Sequence, residues 1–213
     1  MSDVKEVFSE IYRTHSWQGT SRSGPGSDPA KTTRYRELVK HVLQAHPISS
    51  VVDVGCGDWS SSRLINWSNV DYTGVDLVPE LVDHLNAEFG SDQRRFMVAN
   101  LIQDELPSAD LCIIKDVLQH LSNAAVQSFI IQQLPRFRYA LITNDARVFR
   151  LLQLLRPWRI PKANVDIPNG GARSLRLTFP PFNLKAKRLD WYRVFHGQIV
   201  FEKEVLFWDR ANG

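Results

Sequence analysis

Only two cysteines, Cys56 and Cys112, occur in the 213 residues of this chain. That is too few for a disulfide-built scaffold, and both fall in core-like or turn segments where a reduced thiol serves as a small filler. No apolar run reaches the ~18 residues that span a bilayer, and no signal peptide opens the chain, so a soluble, cytoplasmic protein without a membrane span is expected. Charge of one sign is also scarce in excess: 26 basic residues face 23 acidic ones, a net charge of +3. So small a balance, with no appended RNA module, argues against nucleic acid as a partner. The basic residues are nevertheless uneven. Arg136 to Lys162 gathers seven of them against the single acid Asp145, which reads as a solvated face or as a site for an anionic substrate. Repeats are missing, and the one polar Gly/Ser/Pro stretch lies near residue 24.

What is present is a core-forming composition, 43% hydrophobic, enough for one domain covering residues 1–213. Its most informative segment is Val51-Val52-Asp53-Val54-Gly55-Cys56-Gly57-Asp58. The apolar run Ser50 to Val54 reads as a buried parallel strand, and the glycines that follow let the backbone turn sharply and approach a ligand. A helix is expected over Ser60 to Trp67, then a second strand, Tyr72 to Asp76. Asp76 stands 21 residues after Gly55, near the ~20-residue spacing at which a carboxylate meets ribose hydroxyls. The order strand, glycine turn, helix, strand, acid calls for a cofactor containing adenosine. NAD fits poorly: Ser60 replaces the third glycine of Gly-x-Gly-x-x-Gly, and Asp53 and Asp58 would repel a pyrophosphate while suiting a cationic sulfonium.

From Val51 to about Trp208 the chain resembles the class I S-adenosylmethionine-dependent methyltransferases. Their first motif, acid-x-Gly-x-Gly, is matched by Asp53, Gly55 and Gly57, with Trp59 where a third glycine is common. The resemblance implies a Rossmann-like α/β fold, a mostly parallel seven-stranded sheet with helices on both faces and a C-terminal antiparallel hairpin. It also implies S-adenosyl-L-methionine as cofactor, held by Asp53, Gly55, Gly57, Asp58 and Trp59. Asp76 would hold the ribose with Leu77 covering the adenine, Asn100 and Leu101 would read the adenine edge after the third strand, and Lys115 would follow the fourth.

Alternation of patterns fills in the rest. Helices are expected at about Pro79 to Phe89, Asn123 to Leu134 and Ala146 to Leu155, with strands Arg95 to Val98, Asp110 to Ile114 and Tyr139 to Thr143 between them. Arg188 to Phe195 and Gln198 to Trp208, joined by His196-Gly197, read as a hairpin. Two irregular segments remain. Residues 19–27 end an N-terminal region of helices and lid (1–47), and residues 157–187 form a long loop of glycines, prolines and aromatics that reads as a substrate-binding insertion. Arg22, Asp166 and Arg173 are the candidate acceptor ligands. Together with Lys-Asp-Val-x-Gln-His-Leu after the fourth strand and Asp-Ile-Pro-x-Gly-Gly in the loop, these segments resemble small microbial and large-virus methyltransferase domains associated with glycosyltransferases. That resemblance implies O-methylation of a sugar or glycan; another small molecule is the alternative, and an oxidoreductase or a non-catalytic binding module fits less well.

An alcohol needs a base, and Asp116 and His120, four residues apart, are the candidates, histidine being better suited to neutral pH. A structural histidine is the competing reading. Asp116 with Asn144-Asp145 could hold a divalent cation, but the Asn-Asp order differs from that of metal-dependent O-methyltransferases, so no metal is assigned.

Overall fold

The computed structural model describes residues 4–14, 16 and 23–212. Seven strands form a single sheet in the order β3-β2-β1-β4-β5-β7-β6. They are β1 (Ser50–Val54), β2 (Asp71–Asp76), β3 (Arg94–Val98), β4 (Ala109–Lys115), β5 (Phe137–Arg150), β6 (Lys187–His196) and β7 (Ile199–Asp209). β1, β2 and β3 pair in parallel, while β7 runs antiparallel to both β5 and β6. This is the Rossmann-like methyltransferase sheet with its reversed C-terminal hairpin. By internal packing the chain divides into two compact units, Met1–Ile113 and Ile114–Gly213.

In the first unit, α1 (Val4–Thr14) and α2 (Thr33–Ala45) precede the sheet, and α3 (Pro79–Phe89) links β2 to β3. Tyr35, Val39 and Val42 are buried along one stripe of α2, the spacing of an amphipathic helix. α3 begins with Pro79, whose fixed φ suits a first helical position, and buries Val82 and Leu85. β1 is buried from Val51 onward, as a strand covered on both faces should be. The helix expected over Ser60–Trp67 contracts to one tight turn, Ser62–Leu64. Side chains divert its polar groups: Ser62 Oγ donates to Asp53 at 2.9 Å, and the Trp67 indole donates to the Ser62 carbonyl at 2.8 Å.

In the second unit, α4 spans Asn123–Ser128, passes through a wider π turn at Phe129–Gln133 and closes with a tight turn at Leu134–Arg136. The largest departure from the sequence reading is β5. It continues past Thr143 to Arg150, where a helix beginning at Ala146 is expected, and a short 3₁₀ turn, Leu151–Leu155, takes what remains. The cause is the partner strand: β7 pairs with β5 from Tyr139↔Asp209 to Arg150↔Ile199, so Val148 and Phe149 find a ladder that outweighs a local helical pattern. A bulge between Asp145 and Arg147 takes up the register change.

Candidate active site

The glycine turn after β1 is built on backbone in the left-handed region: Gly55, Gly57 and Trp59 have φ of 69°, 58° and 56°. Gly55 and Cys56 both donate their amides to the Val75 carbonyl, at 2.7 and 3.0 Å, which ties the turn to the end of β2. Trp59 thus keeps the conformation a glycine would adopt freely, at a cost of about 1–2 kcal/mol. Packing offsets it. The indole is buried against Tyr72, Phe89 and Phe96 and donates to Tyr72 Oη at 2.9 Å.

Asp76, at the C-terminal end of β2, is buried and accepts from the Gly57 amide at 3.0 Å and from Leu77 and Val78 at 2.8 and 3.3 Å. Burial raises its pKa despite those donors. Asp53 lies deeper and is engaged by Tyr72 Oη at 2.7 Å as well as by Ser62, so it braces the turn from beneath. Asp58 offers one carboxylate oxygen to the Ser60 amide, and its own amide donates to Ser23 Oγ at 2.9 Å. Ser23 also shares a 2.6 Å hydrogen bond with Tyr12 Oη. A Cβ on Gly57 would lie 2.1 Å from Ser23 Oγ, so glycine, already favoured by φ of 58°, lets this hydroxyl sit against the turn. Burial, then the fields of Asp76, Asp53 and Asp58, push the Cys56 thiol up. Such an acidic turn opposes a pyrophosphate and matches a sulfonium. After β3, the buried Asn100 accepts from the Ile102 amide at 3.0 Å and, through its own amide, meets Asp104, while Leu101 is half-buried beside it.

The second unit carries an ionic cluster. Lys203 of β7, with only 4% of its side chain exposed, places Nζ 2.7 Å from Asp116 Oδ1 and 2.6 Å from Asp145 Oδ1. Lys115 Nζ lies 2.6 Å from Asp116 Oδ2. Burial would push Asp116 up, but the two ammonium groups outweigh it and hold the carboxyl far below its usual range. Burial likewise opposes charge on Lys203, and the two carboxylates reverse the effect and raise its pKa. Gln119 clamps Asp145 from both ends, donating to Oδ2 at 2.7 Å and accepting from the Asp145 amide at 2.6 Å. Asp116 itself has φ of 59°.

His120 follows in a tight turn, Leu118–His120. Its Nδ1 lies 2.7 Å from the Gly171 carbonyl. A carbonyl only accepts, so Nδ1 carries the proton and the lone pair of the neutral ring is on Nε2. Burial lowers the His120 pKa more than that bond and Asp116 raise it, which keeps the imidazole neutral at neutral pH.

Residues 52–132 match the family model described as "Methyltransferase domain". That match to a methyltransferase domain supports an enzyme that uses S-adenosylmethionine. Solved structures share the fold. A protein of echinomycin biosynthesis, studied for conversion of a disulfide bond into a thioacetal group, superposes with a TM-score of 0.62 at 19% identity, covering 97% of this chain and 92% of its own. The N-methyltransferase NodS from Bradyrhizobium japonicum, bound to S-adenosyl-L-homocysteine, gives 0.60 at 11% identity over 92% and 98%. The magnesium protoporphyrin IX methyltransferase ChlM from Synechocystis, with the same ligand, gives 0.59 at 16% over 96% and 98%. A search of curated protein sequences returns no match.

Within the second unit, the loop of residues 157–187 is anchored rather than loose. Asn164, at φ 65°, donates to the Arg176 and Pro180 carbonyls and accepts from the Arg176 amide. Asp166 accepts from the Asn123 amide at the start of α4, and Asn169 accepts from Ser122. Arg173 donates to the carbonyls of Val165 and Leu121 and to the Asn123 side chain. The candidate acceptor ligands Asp166 and Arg173 therefore both fasten the loop to the His120 segment. Arg22 lies outside the described residues, as do residues 19–21 of the glycine-serine stretch.

The metal alternative meets a specific obstacle. Asp116 and Asp145, two of its three oxygen donors, converge on the Lys203 ammonium, a donor set matched to that cation rather than to a divalent one. Lys203 was not singled out by sequence reasoning. Its signal was there: Glu202-Lys203-Glu204 places three charges in succession within a strand otherwise apolar and aromatic up to its last residue, Asp209, and all three are buried.

Proposed function

We propose that this methyltransferase transfers the methyl group of S-adenosylmethionine to a hydroxyl of a sugar or glycan, with His120 as the base and residues 1–213 acting as one domain. The bound cofactor supplies an activated methyl on a cationic sulfur. Asp76 is suited to the ribose diol, because its carboxylate is pinned by three amides at the end of β2. Asn100 and Leu101 are assigned to the adenine, Leu77 to its face, and the acidic glycine turn to the charged end of the molecule. The Asp58–Ser23 hydrogen bond supports reading the N-terminal segment as the lid.

The observation that carries the choice of a hydroxyl acceptor is the His120–Gly171 contact. The loop carbonyl fixes the ring with its basic nitrogen at Nε2, and burial holds the ring neutral. A neutral imidazole can then take the acceptor O–H proton as the C–O bond forms. Asp116, held ionised between two lysines, is a poor proton acceptor and supports the charge that develops on His120. Within the loop of residues 157–187, the part anchored from Asn164 to Pro180, with Asp166 and Arg173 as its fastenings, forms the wall for the acceptor.

Incubation with labelled S-adenosylmethionine and a panel of monosaccharides, deoxysugars and short glycans tests the reading. Label should appear on a sugar oxygen, and His120→Ala should lower turnover roughly a hundredfold or more while leaving cofactor affinity unchanged. Transfer to a nitrogen or carbon acceptor alone, or an unaltered rate in the variant, would overturn it.

A further inference from the structure

The far end of β5 and the turns after it take no part in the chemistry above. From Ala146 to Val165 the sequence contains five basic residues, Arg147, Arg150, Arg156, Arg159 and Lys162, and no acid. In the same stretch Leu152, Leu155 and Trp158 are 72%, 77% and 77% exposed, and Leu151 and Leu154 are 44% and 52% exposed. One exposed leucine is ordinary, but five large apolar side chains turned to solvent between residues 151 and 158 form a patch. The patch extends to the β6–β7 hairpin. The Leu151 amide donates to the Gln198 carbonyl at 3.0 Å, and Phe195, one residue before the end of β6, is 54% exposed. Arg150, Arg156 and Lys162 are exposed in the same segment.

We infer that this surface docks on an anionic lipid bilayer, lying in the headgroup layer without crossing it. Leucines and an amphipathic indole seat in that layer, and the basic residues meet its negative charge. Charge complementarity chooses this occupant. An apolar contact with another protein does not call for twenty residues without a carboxylate, whereas each Lys or Arg near an anionic leaflet strengthens attachment about fivefold. Among the described residues no helix is long and apolar enough to cross a membrane, so attachment would be peripheral and reversible.

Vesicle flotation of the full chain tests this, comparing phosphatidylcholine alone with mixtures containing about 30% phosphatidylserine. The chain should float with the anionic vesicles and be released by raised salt. The variant Leu152→Ser/Leu155→Ser and, separately, Trp158→Ser should each weaken partitioning about tenfold or more. Melting temperature and S-adenosylhomocysteine affinity should stay unchanged in both, since these side chains are at the surface. Equal flotation on both vesicle types, no flotation, or variants that float as well as the parent would overturn the inference. So would a patch variant that turns a dimer into a monomer in sedimentation while the parent ignores vesicles, because the surface would then join copies of the chain.

Discussion

Lys203 sets the charge balance of the ionic cluster. With Lys115 it supplies two positive charges for the carboxylates of Asp116 and Asp145, so the cluster is neutral as a whole. Removing one member of a buried set strands the rest. Lys203→Met, which keeps the length of the side chain and deletes the charge, should destabilise the protein by about 3–5 kcal/mol, measured by denaturant unfolding. A loss under about 1 kcal/mol would mean that water already screens the carboxylates. Trp59 shows the same dependence on context. Its position in the turn was legible in the sequence, but the aromatic cluster that holds its left-handed backbone joins Phe89 and Phe96 from distant parts of the chain.

The elements that the sequence made legible are those whose signal is local. β1, the glycine turn, β2 and α3 follow from apolar runs, two glycines and a proline, and α3 begins and ends at Pro79 and Phe89, where its pattern does. β5 was read too short because its second half is decided by β7, some fifty residues later in the chain, and the Ser60–Trp67 helix was read too long because its serines and Trp67 bond elsewhere. In the candidate site, Asp76 and His120 were singled out by position, whereas the Gly171 carbonyl that sets the tautomer of His120 has no sequence signal. The long loop yields a sharper expectation. The Asn164 side chain makes three hydrogen bonds within it, so Asn164→Ala should cost about 1–3 kcal/mol locally. Hydrogen exchange should quicken at the Arg176 amide while the β1 and β2 amides stay protected; uniform quickening would show that the loop opens only with global unfolding.

For the molecule as a whole, pH ties stability to the site. His120 has a folded pKa below its ordinary 6.5, so the native state binds fewer protons than the unfolded one between those values. Its contribution is present above ~6.5 and is lost as pH falls through the folded value. Asp116 behaves alike further down, contributing above its ordinary 3.8 and losing that contribution as pH falls well below it. Asp76 has the opposite sign, since its raised folded value favours the native state as pH falls toward 3.8. His120→Gln should therefore flatten the decline in melting temperature between about pH 7 and pH 5 while leaving the later acid transition in place. An identical profile for parent and variant would place the His120 pKa at its ordinary value.

Cofactor recognition at the end of β2 underlies the functional account, and calorimetric titration of the protein with S-adenosylhomocysteine, alongside Asp76→Ala, tests it most directly. The parent should bind with a dissociation constant of roughly micromolar order, and the variant about tenfold or more weaker, through loss of a charge-assisted hydrogen bond. Absence of binding by the parent, or equal affinity in the two proteins, would contradict the account.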